Sequence, residues 1–268
     1  MEDTTINNSQ KLTTQQVQTQ FGQSAHKYVT STVHAQGSDL LRMVELAQLP
    51  GMECVLDVAT GGGHTARAFA HQVSQVVAYD ITFEMLDAAR SFVYQQQVTD
   101  MHFCSGDAAY LPFQDNSFDC VTTRIAAHHF ANPEPFVKEV ARVLRPQGIL
   151  LINDNMVPDD QELDMCMNRF EQWRDPSHIR AYTTKEWQQW IEGAELQVTQ
   201  IEPLAYKHHD FMEWTARMHM PEGERCQLED WLVQLPQHCK TFFNIEIERN
   251  RILSLSNTYS IIVAQSMK

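Results

Sequence analysis

Between residues 54 and 152 short apolar runs alternate with amphipathic segments, and this alternation narrows the fold more than any other feature of the chain. Cys54–Val58, Gln75–Asp80, Met101–Cys104, Phe118–Ile125 and Ile149–Ile152 read as buried strands. Between them, Ala66, Phe69, Ala70 and Val73 share one helical face, and Met85, Ala89 and Phe92 share another. A third face carries Phe136, Val137, Val140, Ala141 and Leu144. Thr82 and Asn132-Pro133 offer N-cap and first-turn chemistry, and Pro146 to Gly148 stops the third helix. Strands joined by crossover helices lie parallel, so the pattern predicts a doubly wound α/β sheet. Leu196–Ile201 and Tyr259–Ala264 add two later strands.

The flanks are less regular. Residues 1–20, rich in Thr, Asn and Gln, are expected to form a disordered tail, and residues 21–50 a helical arm ended by Pro50-Gly51. Residues 51–155 form the expected ligand-binding core. Residues 156–243 read as a helical lid with one core helix and strand, the helix announced by the Thr183/Glu186 capping box. Residues 244–268 return to the core sheet. Residues 208–240 read as helical, with His208 and His209 at the surface.

Charge and cysteine usage narrow the partners. A formal net charge of -14 without a dense basic run argues against nucleic acid. The six cysteines form no C-x-x-C pair, so no metal is expected, and buried free thiols in a cytoplasmic protein are the simplest reading. No signal peptide and no membrane span are expected, since the N-terminus lacks a charged head followed by an apolar run and no apolar stretch is long enough to cross a bilayer. The expected partner is a small-molecule substrate; monomer and homodimer both remain open.

The segment that carries chemistry is Asp57-Val58-Ala59-Thr60-Gly61-Gly62-Gly63, after a strand and before a helix. Glycines let the backbone turn sharply and approach a ligand. Acids close successive strands: Asp80 after the second, positioned to accept from both ribose hydroxyls, and Asp107 after the third, positioned toward an adenine amino group. Gly61-x-Gly63-x-x-Ala66 also fits a dinucleotide fingerprint, so an NAD(P)-dependent oxidoreductase is an alternative. Against it stand the acid inside the first motif, the acid after the third strand, and a fifth strand that leads to a lid rather than to a second nucleotide-binding half.

Val55 through Ala66 resembles the first motif of class I S-adenosylmethionine (SAM) methyltransferases, nearest the ubiquinone/menaquinone-biosynthesis-like group of type 11. Asp80-Ile81-Thr82-x-x-Met85-Leu86 and Gly106-Asp107-Ala108-x-x-Leu111-Pro112-Phe113 resemble the ribose and adenine segments of that family. Phe118 through Phe130, and Val140 through Gly148, resemble its fourth-strand motif and the turn before its fifth strand. The matches run in order across about 100 residues, too many for chance. The resemblance implies a Rossmann-like, seven-stranded sheet with an antiparallel last strand, and SAM as cofactor. It places Asp57, Ala59, Thr60, Gly61 and Gly63 on the methionine and ribose side, with Asp80 on the ribose. Ile81 and Met85 would pack on the adenine, and Asp107 and Ala108 would meet its edge. Arg124 and Ile125 would lie under the methionine, and Tyr28 would close over the sulfonium. Ala59 departs from the pattern, standing where much of the wider family has its first glycine. A non-catalytic SAM-binding protein would carry the same motifs.

The acceptor is less legible, because methyl transfer asks mainly for positioning and exclusion of water. Ile125-Ala126-Ala127-His128-His129-Phe130 replaces the Asn-Pro-Pro-Tyr common where amino groups of planar bases are methylated. That favours carbon or oxygen of a small molecule, quinone-like or aromatic by the same resemblance. His128 and His129 are candidate bases, or else a packed and a solvated loop residue. Asp154 either orients a substrate hydroxyl or caps the next segment. Arg174, His178 and Arg180 either grip an anionic group or dock the lid through ion pairs.

Overall fold

The computed structural model describes residues 18–19, 21–22, 37–49, 53–98 and 100–268. Tyr28 lies outside them, as do most of residues 1–20 and much of the expected arm.

The core follows the alternation. Helix α1 (Ser38–Ala47) precedes β1 (Cys54–Val58), α2 (His64–Ala70), β2 (Gln75–Asp80), α3 (Phe83–Gln95), β3 (Met101–Ser105) and β4 (Phe118–Arg124). A single 3-10 turn, Ala127–His129, leads to α4 (Pro133–Val143) and β5 (Leu144–Val157). The main path of the sheet runs β3-β2-β1-β4-β5, then the C-terminal strand β10 (Arg251–Ser266), then β7 (Leu196–Ile201). The first five strands pair in parallel. Strand β10 is antiparallel to both of its neighbours. The order reverses between β1 and β4, and the crevice outside their carboxyl ends is where such sheets take ligands.

Helices cover both faces because alternate strand residues face opposite ways. Leu56, Leu150, Ile152 and Ile262 join Phe136 and Val140 of α4 in one cluster. The same cluster takes Trp187 and Ile191 of α6 (Thr184–Gly193). Val55, Leu151, Ile261 and Val263 point the other way, onto Met43 of α1 and Phe69 of α2. Asn132 caps α4 through its side chain, and Thr183 and Glu186 form the full capping box of α6. Thr82 occupies the N-cap of α3 without a side-chain bond to it.

A second apolar cluster lies beyond the sheet's main path. It gathers α5 (Gln161–Arg174), α7 (Phe211–Arg217), α8 (Glu222–Gln234) and α9 (Gln237–Phe242) around Met167, Phe170, Trp214 and Leu232. Leu255 of β10 joins them, so this one strand serves both clusters. Short strands β6 (Tyr182–Thr183), β8 (Ala205–Asp210) and β9 (Glu246–Glu248) complete the sheet. The helical reading from residue 208 is corrected here: Ser254–Tyr259 pair with Ala205–Asp210 as strand. His209 is also not at the surface; it is buried, bonded through Nε2 to Asn257 at 3.2 Å, and burial lowers its pKa to about 4. Six polar-rich residues gave no strand signal, because the partner strand creates the burial.

Candidate active site

The glycine bend is built by backbone conformation. Ala59, Gly61 and Gly63 hold positive φ of 56°, 54° and 78°. Ala59 bears a left-handed cost of about 1–2 kcal/mol that glycine would not. The Asp57 carboxylate, fully buried, accepts from Thr60 Oγ1 at 2.6 Å and from the Ala66 N–H at 3.0 Å. It therefore ties the bend to the first turn of α2. Burial outweighs these bonds and raises its pKa to about 7.

A cleft of about 1210 Å³, part of it open to solvent, lies over the ends of β1 to β4. Ala59, Thr60, Gly61, Asp80, Ile81, Met85, Asp107, Ala108, Arg124 and Ile125 line it, as does His129. Asp57 and Gly63 do not line it. Asp57 lies beneath the bend, and Gly63 faces α3, where a Cβ would stand 3.1 Å from the Ala89 Cβ. Residues not named as site candidates from the sequence also line it, among them Phe21, His64, Thr65, Asn132 and Phe136. His64 and Thr65 directly follow the glycine bend at a helix start, a signal that was present. Phe21 and Phe136 reach the cleft only through tertiary folding.

The acids are held by backbone N–H groups. Asp80 accepts from the Gly61 N–H through Oδ2 and from the Thr82 N–H through Oδ1, each at 2.8 Å. Burial raises the Asp80 pKa. Asp107 Oδ1 accepts from the Ala109 N–H at 2.9 Å, while its carbonyl accepts from Tyr79 Oη at 3.1 Å. Only glycine fits at Gly106, where a Cβ would stand 2.1 Å from Tyr79 Oη. Phe21 packs on Met85 and Ala88. An acid for a ribose, a second acid for an adenine edge and apolar walls between them fit an adenosyl group.

Arg124 and Ile125 form the far wall. Arg124 grips Asp39 in two bonds, Nε to Oδ2 at 2.7 Å and Nη2 to Oδ1 at 3.1 Å. Asn153 donates to the same carboxylate at 2.7 Å. Burial opposes ionisation of Asp39, but the guanidinium prevails and lowers its pKa. Ile125 stands at φ 54° and also lines a second, polar cleft with Asp39, Asn153, Asn155, Lys207 and Tyr259. Burial lowers the Lys207 pKa to about 8. Nothing in the sequence marked Lys207, which lies in β8 just before the residues that were read as helix.

His128 is buried behind the cleft, its Nδ1 2.6 Å from Asp154 Oδ1 and its N–H donating to Oδ2 at 2.7 Å. Burial opposes the imidazolium, yet the carboxylate raises the His128 pKa. His129 Nδ1 donates to the Ser177 carbonyl at 2.9 Å, which leaves Nε2 as its acceptor. Burial and then His128 lower its pKa to about 4, so it is neutral near pH 7 and a weak base. Asp154 thus orients His128 and lines neither cleft. Arg174 pairs with Glu171 at 2.9 Å and covers Trp214. His178 Nε2 lies 2.9 Å from Asn168 Oδ1, and Arg180 pairs with Asp164 at 2.7 Å. These three bond within the segment from Asp164 to Arg180 and to Trp214, and they do not line the cleft.

Residues 56–152 match the methyltransferase domain family. A methyltransferase of Bacillus subtilis, YcgJ, is 35% identical over 237 residues, covering 87% of this chain and 92% of its own. The solved structure of a Bacillus halodurans protein assigned to the methyltransferases superposes with a TM-score of 0.84 at 38% identity, covering 87% of this chain and all of that one. The ubiquinone/menaquinone biosynthesis C-methyltransferase UbiE of Pseudomonas fluorescens is 36% identical over 113 residues, 41% of this chain and 44% of its own. The nicotinamide alternative fails on topology too, since after β5 the sheet continues through antiparallel β10 rather than a second parallel half. The chain belongs to the class I S-adenosylmethionine-dependent methyltransferases, and S-adenosylmethionine is its cofactor.

Proposed function

We propose that the enzyme methylates carbon or oxygen of a small, quinone-like or aromatic acceptor that carries an anionic group. The carrying observation is the polar cleft on the other side of Ile125. Its Lys207 ammonium makes no hydrogen bond or ion pair among the described residues, though Asp39 lies near enough to favour its charge. A half-buried cation without a partner is costly unless a ligand supplies the anion. The likeness to UbiE over the core favours carbon.

The bound cofactor supplies an electrophilic methyl group on a sulfonium. The chain's own residues bind and orient. Asp80 would hold the ribose hydroxyls and Asp107 the adenine edge, while Ile81 and Met85 exclude water. Ile125 would set the passage between the clefts, with Lys207 anchoring the acceptor. His129 Nε2 would accept a hydrogen bond from an acceptor hydroxyl, being too weak a base to remove an unactivated proton. Asp154 and His128 would hold that wall in place.

Calorimetry with S-adenosylhomocysteine tests the cofactor side. Asp80→Ala is expected to lose about 1.5–3 kcal/mol, roughly 10- to 150-fold in affinity, and unchanged affinity would mean the ribose lies elsewhere. The acceptor side is tested with radiolabelled SAM and paired phenols or quinols, each with and without a carboxylate. Lys207→Met should raise KM for the carboxylated member alone. Equal effects on both members overturn the anionic acceptor, and no transfer to any member favours a non-catalytic SAM-binding protein.

A further inference from the structure

The second apolar cluster carries a group of donor atoms that the methyl-transfer reading leaves unused. Glu162 and Cys166, one helical turn apart on α5, face His238 and Cys239 of α9. His238 Nε2 stands 3.0 Å from Glu162 Oε2 and 3.5 Å from Cys239 Sγ. Cys239 Sγ stands 3.1 Å from Cys166 Sγ. Glu162, His238 and Cys239 donor atoms all lie within 4.8 Å of one another. The two sulfurs are buried, whereas the Glu162 and His238 side chains are 49% and 52% exposed, so an ion has a path from solvent.

These spacings compare with those that zinc imposes. Bond lengths of about 2.3 Å to sulfur and 2.0–2.2 Å to nitrogen or oxygen, set tetrahedrally, put S···N near ~3.5 Å, N···O near ~3.4 Å and S···S near ~3.8 Å. The S···N distance already agrees, and the N···O pair needs to open by about 0.4 Å and the sulfurs by roughly 0.7 Å. A plain His–Glu ion pair at the surface accounts for little stability and gives no reason for two thiols directly behind it. The mixed sulfur, imidazole and carboxylate set suits a borderline-soft divalent ion rather than calcium or magnesium.

The geometry points to a zinc site held by Glu162, Cys166, His238 and Cys239, clamping α5 to α9. Binding would displace one proton from each thiol, leaving two thiolates, a neutral imidazole and a carboxylate around the ion. No electron transfer is involved. The two cysteines lie 73 residues apart, which is why spacing in the sequence does not reveal the set.

The full chain, reduced and stripped with chelator, is titrated with Co²⁺ and then Zn²⁺, following thiolate-to-cobalt charge-transfer absorption and thermal unfolding. One Co²⁺ per chain, displaced by Zn²⁺, and a raised Tm with Zn²⁺ are expected. His238→Ala and Glu162→Gln, at the surface, should weaken Zn²⁺ affinity at least tenfold while the metal-free Tm and the S-adenosylhomocysteine affinity stay as in the parent. Absence of the charge-transfer band, or unchanged Zn²⁺ affinity in both variants, overturns the site. So does a thiol count showing Cys166 and Cys239 joined as a disulfide under the same reducing conditions.

Discussion

Ile125 holds a backbone conformation that a β-branched residue adopts only under constraint. The constraint is visible on both sides. Its N–H donates to the Asn153 carbonyl at 2.7 Å, and the preceding Arg124 is locked to Asp39. Left-handed geometry costs about 1–2 kcal/mol, and glycine's extra freedom in the unfolded chain costs roughly 0.5–1 kcal/mol. Ile125→Gly is therefore expected to stay within about 1 kcal/mol of the parent in urea unfolding, while kcat/KM for methyl transfer falls because the wall between the clefts is lost. A stability loss above about 3 kcal/mol would instead mark Ile125 as an ordinary packed side chain. Ala59 tolerates the same strain at the bend, which explains how the family's glycine position is met here without glycine.

At the level of elements, the capping box of α6 is closed by three bonds. The Thr183 hydroxyl bonds Glu186 Oε2 at 3.0 Å, the Glu186 N–H donates to that hydroxyl at 3.1 Å, and the Thr183 N–H donates to Oε2 at 2.8 Å. Thr183→Ala should cost about 1 kcal/mol in urea unfolding, and a loss under roughly 0.3 kcal/mol would show that packing of Trp187 alone fixes the helix start. This cap was readable in the sequence because its partners lie within one turn. So were β1 and β2, where apolar runs end in Val58 and Asp80 at the strand ends observed. The acids Asp80 and Asp107 were equally legible, since a strand end fixes where a side chain goes. What escaped depends on distant segments. The Arg124–Asp39 pair joins residues 85 apart, and β8 becomes a strand only because β10 runs beside it. Asp57 was legible as a motif residue, but burial beneath the bend could not be foreseen from spacing.

For the molecule as a whole, buried neutral histidines set the acid limit. Burial lowers His129 and His209 to about 4 and His178 to about 3, against an ordinary 6.5. A group with a depressed histidine pKa binds its proton in the unfolded chain first, so stability falls as pH drops from 6.5 toward 4. Asp57 acts oppositely in the same interval, since its raised pKa of about 7 keeps it protonated when folded but ionised when unfolded. Asp80, raised by burial as well, acts with Asp57, and three groups against two leave a net acid loss, with each group limited to about 1.4 kcal/mol per pH unit. Tm should fall between pH 6.5 and 4, and His209→Gln should shallow that slope; a flat profile in the parent would show that these imidazoles titrate normally.

Strand β10 runs unbroken for 16 residues through both apolar clusters. It works as a splint: the helical module cannot swing about a loose joint without tearing a ladder that also holds the nucleotide-binding half. Tyr259 of the same strand also lines the polar cleft, so the splint that joins the two halves is at the same time part of that cleft's wall.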